Sequence, residues 1–147
     1  MLEDIKSPSD IKSLDGKQLA NLSNEIRNVI IDTVSKNGGH LASNLGMVEA
    51  TIALHKVFNF PSDKLIFDVG HQCYAHKLLT GRYATFSSLR KSGGISGFTN
   101  KNESDYDVLT EGHSGTSLSS ALGIAEANKL RGSNNYTVAV IGDGSLT

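Results

Sequence analysis

The sequence lacks four features, and each absence narrows what the chain can be. Cys73 is the only cysteine, so no disulfide can form within the chain. No apolar run approaches the roughly 20 residues needed to cross a bilayer, which excludes a membrane-spanning helix. Fourteen basic and fifteen acidic side chains leave almost no net charge, so nothing favours nucleic acid or an anionic membrane as a partner. The opening residues Met1 to Asp4 contain no hydrophobic signal segment, and a cytoplasmic location is expected.

Glycine, in contrast, is abundant. Fifteen glycines are present, and most stand between periodic segments and not in a repeat. This placement indicates loops whose backbone is approached closely by another group. The length of 147 residues fits one domain that can bury a core without disulfides or metals, and residues 1–147 are interpreted as one domain.

Helical and strand patterns alternate along the chain. Apolar spacing predicts a three-layer α/β domain with a mainly parallel sheet, in which short apolar runs form strands buried on both faces. The polar stretch 87–102 has no clear period and is expected to be an ordered loop. The predicted helices are Ser13–Asn37, Leu45–Phe58, Tyr74–Leu79 and Ser117–Leu130, and the predicted strands are Leu65–Val69 and Val138–Ile141.

An acidic residue between two glycines follows the last predicted strand. Asp143 lies between Gly142 and Gly144, where open α/β sheets bind their ligands. The missing Cβ atoms would let a large group approach the backbone, which makes Asp143 a candidate metal or cofactor contact. The alternative is a simple tight turn, because all these residue types form turns.

Three histidines stand beside glycines in predicted loops, namely His40, His71 and His113. Imidazole titrates near neutrality and suits proton delivery or stabilisation of an oxyanion. Each could instead be an ordinary surface or core residue. His55 lies inside a helix and is interpreted as structural, and the five-residue offset of His76 from His71 does not favour a zinc pair.

The segment 112–117 leads into a predicted helix. A helix start offers unpaired N–H groups and a partial positive charge, so it favours phosphate, and the alternative is a Ser or Thr cap. Thr147 stands where a dinucleotide-binding fingerprint needs its third glycine, which disfavours nicotinamide binding by that route. There is no phosphate-binding motif of the GxxxxGK[ST] type.

Five segments form a pattern that is known from one family, namely residues 38–46, 67–72, 76–82, 93–98 and 112–114. Together these segments resemble the amino-terminal part of the 1-deoxy-D-xylulose-5-phosphate synthase family. The resemblance implies the thiamine diphosphate-binding fold and a transferase that decarboxylates pyruvate and adds its two-carbon fragment to D-glyceraldehyde 3-phosphate. Thiamine diphosphate and Mg²⁺ are the implied cofactors, and the product feeds isoprenoid (terpenoid), thiamine and pyridoxal phosphate synthesis.

The resemblance also implies roles for individual residues. Asp143 would be a Mg²⁺ ligand, and Gly144 and Ser145 would line the diphosphate, although family members often have alanine where Ser145 stands. His40 would face the substrate carbonyl, as a catalytic residue. His71, which is also expected to be catalytic, would contact thiamine diphosphate together with Gly112, His113 and Ser114.

The chain departs from the family pattern in its length. In the family an asparagine about thirty residues after Asp143 completes the metal site, and a second domain supplies a glutamate that activates the cofactor. The chain is therefore interpreted as a fragment, truncated after the Gly-Asp-Gly strand, without the pyrimidine-binding and carboxy-terminal domains and inactive alone. The full-length form is expected to be a homodimer, with the remainder in cis or as a second subunit. The alternatives are the amino-terminal subunit of a split transketolase or a non-catalytic binding remnant.

Overall fold

The computed structural model describes residues 1–146 and shows mixed α/β structure with a two-stranded parallel sheet. These elements confirm the predicted α/β class with parallel strands. No helix within these residues is both long and apolar enough to cross a membrane. The helices are α1 (Gly16–Asn37), α2 (Leu41–Leu45), α3 (Val48–Val57), α4 (Tyr74–Leu79) and α5 (Ser117–Leu130), the strands are β1 (Lys64–Phe67) and β2 (Thr137–Val140), and short 3₁₀ turns cover Leu2–Asp4, Pro8–Ile11, Phe86–Ser88 and Asp143–Ser145.

The chain divides into two compact units, which are described separately. The first unit contains Met1–Val57 and Gln72–Gly97, and the second contains Phe58–His71 and Phe98–Thr147, of which residues 58–71 and 98–146 are described. The first unit therefore holds α1 to α4, and the second holds both strands and α5.

The first unit is built on the long helix α1. Asp15 caps its start, because the Asp15 side chain accepts from the backbone N–H of Gln18 at 2.8 Å and the Gln18 side chain accepts from the N–H of Asp15 at 2.9 Å. Its apolar stripe, at a helical spacing of four, is buried. The members of that stripe are Leu22, Ile26, Ile30 and Val34.

A short helix, α2, occupies part of a segment predicted to be a loop. Asn44 lies inside α2 and is fully buried. Its side chain donates to the carbonyl of His40 at 2.6 Å and accepts from the backbone N–H of Tyr74 at 2.9 Å. These bonds tie the 38–45 segment to the start of α4, which explains why five residues hold a helical conformation.

The second unit is organised around the pairing of β1 with β2. Lys64 pairs with Thr137 and Phe67 pairs with Val140 in parallel register. The β1 residues 65–67 are buried, as predicted, whereas every residue of β2 is only half-buried. The prediction that the last strand is buried on both faces is therefore wrong, because within the described residues β2 pairs only with β1, and α5 packs against the pair.

Candidate functional site

The carboxyl ends of β1 and β2 bring two acidic segments to the same edge of the sheet. Asp68 follows β1 directly, and its backbone N–H donates to the carbonyl of Val140, the last residue of β2, at 2.8 Å. Gly142 and Asp143 follow β2 after one further residue. The parallel register therefore explains why side chains that are 75 positions apart in sequence belong to one site.

Asp68 is the most highly connected carboxylate of this edge, and its side chain is only 1% exposed. Its Oδ2 accepts from the hydroxyl of Ser117 at 2.7 Å and from the N–H of Ser117 at 3.3 Å. The N–H of Gly115 donates to both carboxylate oxygens, at 3.1 and 3.0 Å, and the hydroxyl of Ser145 also donates. Burial raises the pKa of Asp68, but these hydrogen bonds outweigh burial and hold the pKa below its ordinary value.

The backbone turns sharply after Asp68. The N–H of Gly70 donates to the carbonyl of Asp68 at 2.7 Å, and Val69 between them has φ of 61°. A three-residue turn with a positive φ at its centre is rare, and a β-branched residue in this region is strained. Gly70 itself has φ of 83°, and a Cβ there would lie 3.1 Å from the Thr99 hydroxyl oxygen.

The segment before α5 is only partly open to a ligand. Gly112, His113 and Ser114 are exposed, as a binding segment requires. The N–H groups of Gly115 and Ser117 donate to Asp68, so these two amides are engaged within the protein, and the use of the helix start as a phosphate site stays a prediction.

Glu111 is a second carboxylate that the sequence reading missed. Glu111 is half-buried, and its Oε2 accepts a hydrogen bond from the hydroxyl of Thr116 at 3.2 Å. Burial and the negative charge of Asp68 raise the pKa of Glu111, and the Thr116 hydrogen bond and the His113 imidazole offset only part of that effect. A carboxyl with this environment exchanges protons closer to neutrality than an ordinary glutamate does.

The Gly-Asp-Gly segment forms a single 3₁₀ turn over Asp143–Ser145. Asp143 is exposed, and the N–H of Ser145 donates to the carbonyl of Gly142 at 3.0 Å. A carboxylate held at the surface of a closed turn can bind a cation without first breaking an internal ion pair.

The glycines of this edge leave room for a ligand. No described atom lies within 4 Å of the position where a Cβ would stand on Gly112, Gly115, Gly142 or Gly144. Only Gly112 and Gly115 among these four have a positive φ, so the fold does not require glycine at 142 or 144. The backbone at these four positions is therefore uncovered by other described residues.

The described residues offer a metal ion an incomplete set of ligands. No group of three or more acidic, histidine or cysteine side chains is arranged to hold a metal within residues 1–146. Mg²⁺ is commonly held by one or two carboxylates together with phosphate oxygens and water. Asp143 fits the protein part of such a site, provided that a diphosphate supplies further oxygens.

The predicted histidines divide between the two units. His71 is half-buried in the second unit and directly follows the strained turn, whereas His113 is exposed in the segment before α5. His40 belongs to the first unit, at the residue before α2, where its N–H lies 3.4 Å from the Tyr74 hydroxyl oxygen. His40 and His71 place imidazoles in glycine-containing loops, as predicted, and their catalytic roles stay predictions.

The structural reading of His55 is confirmed. His55 in α3 and His76 in α4 are both buried, with a distance of 3.0 Å between the Nε2 of His55 and the Nδ1 of His76. Burial lowers the pKa of His55 well below its ordinary value, and the charges of His76, Lys12 and Arg82 lower it further. This pair joins two helices of the first unit.

A groove of about 530 Å³ between α1 and α3 contains none of the predicted site residues. Its lining is mostly apolar, and its two charged side chains are already engaged. Glu49 pairs with Arg27, and the ammonium of Lys56 donates to the carbonyl of Lys12 at 2.7 Å. The groove therefore lacks the convergent polar groups of a ligand site.

Comparison with known proteins agrees with the sequence motifs. The sequence profile of the 1-deoxy-D-xylulose-5-phosphate synthase family, described for its amino-terminal region, matches residues 2–147. Proteins named 1-deoxy-D-xylulose-5-phosphate synthase are similar over all 147 residues, with 60% identity in Caldanaerobacter subterraneus subsp. tengcongensis, 57% in Dechloromonas aromatica and 58% in Dictyoglomus turgidum. The chain spans 24% of the length of each of these relatives. The chain therefore belongs to the 1-deoxy-D-xylulose-5-phosphate synthase family, and it corresponds to the amino-terminal part of these proteins.

Proposed function

We propose that this chain is the diphosphate-binding part of a thiamine diphosphate- and Mg²⁺-dependent 1-deoxy-D-xylulose-5-phosphate synthase, with the family's three-layer cofactor-binding fold completed by further chain. The reaction is the decarboxylating condensation of pyruvate with D-glyceraldehyde 3-phosphate. The observation that carries the proposal is the pair of open segments, residues 112–114 and 142–145, linked through one buried carboxylate, Asp68.

Each open segment has a defined part in holding the cofactor. The Asp143 carboxylate would provide an oxygen ligand to Mg²⁺, and the backbone of Gly144 and Ser145 would lie against the diphosphate. Gly112, His113 and Ser114 would donate hydrogen bonds to the cofactor, since their positions are exposed beside the sheet edge. When bound, thiamine diphosphate supplies the electron sink for the decarboxylation.

The histidines would manage protons during the reaction. The imidazole of His71, beside the cofactor, would accept or return a proton during the reaction. His40 would donate to the carbonyl oxygen of the substrate as negative charge develops there. Because a single protein carboxylate binds Mg²⁺ weakly, the 147-residue chain alone is expected to show no synthase turnover. The remaining sequence would be supplied in cis or by a second subunit, and the full-length form would be a homodimer.

A chimera tests the reaction. Residues 1–147 are joined to the remaining sequence of the Caldanaerobacter relative, and release of CO₂ from pyruvate is measured with D-glyceraldehyde 3-phosphate present. The proposal predicts CO₂ release and formation of a five-carbon sugar phosphate. A folded chimera that transfers a ketol unit between sugar phosphates without CO₂ release would contradict it, and would favour the transketolase alternative.

The second test asks whether the missing side chain of Gly144 leaves space that the cofactor occupies. Gly144→Ala places a methyl group in open space without a left-handed φ, so the unfolding free energy should change by less than about 0.5 kcal/mol. The affinity of the chimera for thiamine diphosphate with Mg²⁺, measured by titration calorimetry, should fall about tenfold or more because the methyl group occupies the ligand's space.

Gly123→Ala is the matched control for this substitution. Gly123 lies in the middle of α5, and a Cβ there also meets no described atom within 4 Å. The substitution should leave the affinity unchanged and stabilise the helix by about 0.5–1 kcal/mol. Equal affinities of the wild-type, Gly144→Ala and Gly123→Ala chimeras would contradict the proposed binding mode.

A further inference from the structure

Two buried aspartates flank β1, one at each end, and their surroundings differ. Asp63 precedes the strand, where its Oδ1 accepts from the N–H of Tyr136 and its Oδ2 from the N–H of Asn59, both at 2.7 Å. Asp68 follows the strand and is bonded to Gly115, Ser117 and Ser145. Both carboxylates are nearly inaccessible to solvent, at 7% and 1% exposure.

The partners of Asp63 all belong to the start of the strand pair. Tyr136 immediately precedes β2, and Asn59 lies in the connection that leads into β1. Asp63 therefore sets the beginning of the parallel register. The next hydrogen bond along the strands runs from the Lys64 N–H to the Tyr136 carbonyl at 2.8 Å. None of these groups lies in a segment proposed to hold the cofactor.

The partners of Asp68 come from the residues directly after one segment proposed to hold the cofactor and from within the other. Gly115 directly follows residues 112–114, and Ser145 is part of the 3₁₀ turn that contains Asp143. A carboxylate has only acceptor atoms, so it can receive all of these donors at once. Loss of this one side chain would release both segments. No other described aspartate forms hydrogen bonds to both of them.

We propose that Asp68 is a positioning residue, whose buried carboxylate holds the 112–114 segment and the Asp143–Ser145 turn in the arrangement that grips the diphosphate. This inference rests on the proposed function. Asp68 does not itself contact the ligand in this scheme, because its oxygens are directed to Gly115, Ser117 and Ser145. The strained turn at Val69 fixes the backbone from which the carboxylate extends.

The first experiment needs no ligand. Amide hydrogen exchange is measured by NMR on the 147-residue chain and on its Asp68→Asn and Asp63→Asn variants. Asn replaces one acceptor oxygen by an NH₂ group that faces the N–H donors, so Asp68→Asn should speed exchange at Gly115 and Ser117 about tenfold or more. Asp63→Asn should speed exchange at Asn59 and Tyr136 instead and leave Gly115 and Ser117 protected.

The second experiment measures the consequence for binding. In the chimera, Asp68→Asn should raise the KM for thiamine diphosphate about tenfold, while kcat at saturating cofactor changes less than about threefold. Asp63→Asn, an equally buried carboxylate in the same unit, should leave that KM within about threefold of wild type. A general loss of structure would raise both KM values together, and that outcome would overturn the positioning role.

Ser117→Ala keeps the test decisive if Asp68→Asn does not fold. It removes the 2.7 Å hydroxyl bond and leaves the carboxylate and the backbone donors in place. The expected result is a smaller change of the same kind, with faster exchange at Gly115 and a KM raised about threefold or more. Unchanged exchange and KM would overturn the proposal. Failure of the wild-type chimera to bind the cofactor would instead count against the proposed function, and the exchange experiment would still decide whether Asp68 holds the loop.

Discussion

The two units use the same residue types in different ways, and the glycines show this most directly. In the first unit, a Cβ on Gly81 would lie 2.5 Å from the carbonyl oxygen of Lys6, and one on Gly94 would lie 2.0 Å from that of Ser88. In the second unit, Gly112, Gly115 and the glycines around Asp143 face open space. Gly81 and Gly94 therefore let the first unit pack closely against itself, whereas the second unit, although Gly70 is crowded by Thr99, leaves the backbone at 112–115 and 142–144 uncovered.

Apolar side chains follow the same division. The α1 stripe of the first unit is buried, with Ile26 fully inaccessible. In the second unit, Leu118 and Leu122 of α5 are 52% and 64% exposed. The first unit therefore has an extensive apolar core, whereas the second buries the apolar residues 65–67 of β1 but leaves these leucines of α5 largely exposed.

The largest expected effect tests this contrast in packing. Ile26→Ala removes a fully buried side chain and should lower the unfolding free energy by about 2–5 kcal/mol, because a cavity replaces its contacts. Leu122→Ala, in exposed α5, should change it by less than about 0.5 kcal/mol. Urea unfolding followed by circular dichroism measures both. Equal losses would show that the two units are packed alike.

A pair of glycine substitutions separates backbone strain from close packing. Gly81 and Gly115 have nearly the same φ, 84° and 79°, but only Gly81 has a backbone oxygen where its Cβ would stand. Gly115→Ala should cost about 1–2 kcal/mol from the left-handed conformation alone. Gly81→Ala should cost about 1–3 kcal/mol more, because the Lys6 backbone must move. Thermal unfolding of the two variants gives the difference, and a difference near zero would contradict the packing argument.

A smaller effect is expected from acid. The pKa of His55 is lowered in the folded state, so the unfolded chain binds a proton near pH 6.5 that the folded chain does not. The stabilising difference is present above pH 6.5 and is lost as the pH falls below it, by an amount on the order of 1 kcal/mol at pH 5.5. Comparing urea unfolding at pH 7.5 and 5.5 measures this loss. In His55→Gln, the decrease in unfolding free energy between pH 7.5 and 5.5 should be smaller by a similar amount, since glutamine does not titrate. An unchanged pH dependence in this variant would assign the acid sensitivity to other groups.

Much of the fold could be predicted because it depends on local pattern. The bounds of α4 and α5 agree with the predicted Tyr74–Leu79 and Ser117–Leu130, and α1 and β1 differ from prediction by a few residues at their ends. The short helix α2 was missed because five residues show no clear period, and bonds from the distant Tyr74 backbone hold it. The half-exposed state of β2 was missed because an apolar run does not reveal how many neighbours its strand has.

The candidate site was predicted in part. The exposure of Gly112, His113, Ser114 and Asp143 follows from glycine-rich strand ends and loops, which the sequence displays. Asp68 was read only as part of a strand, although an acidic residue within a buried apolar run is itself a signal of bonded burial. Its partners lie 47 and 49 positions away, a separation that no local pattern reveals.

Val69 has a consequence beyond its own geometry. A β-branched residue held at φ of 61° has little freedom to shift, so the nearby side chains, Asp68 directly before it and His71 two residues after it, leave the backbone in directions that are settled during folding. A molecule that arrives at this edge therefore does not have to order these groups, and less of its binding free energy is lost to reorganisation. The backbone strain at Val69 thus destabilises the fold locally but preorganises this edge of the sheet for binding.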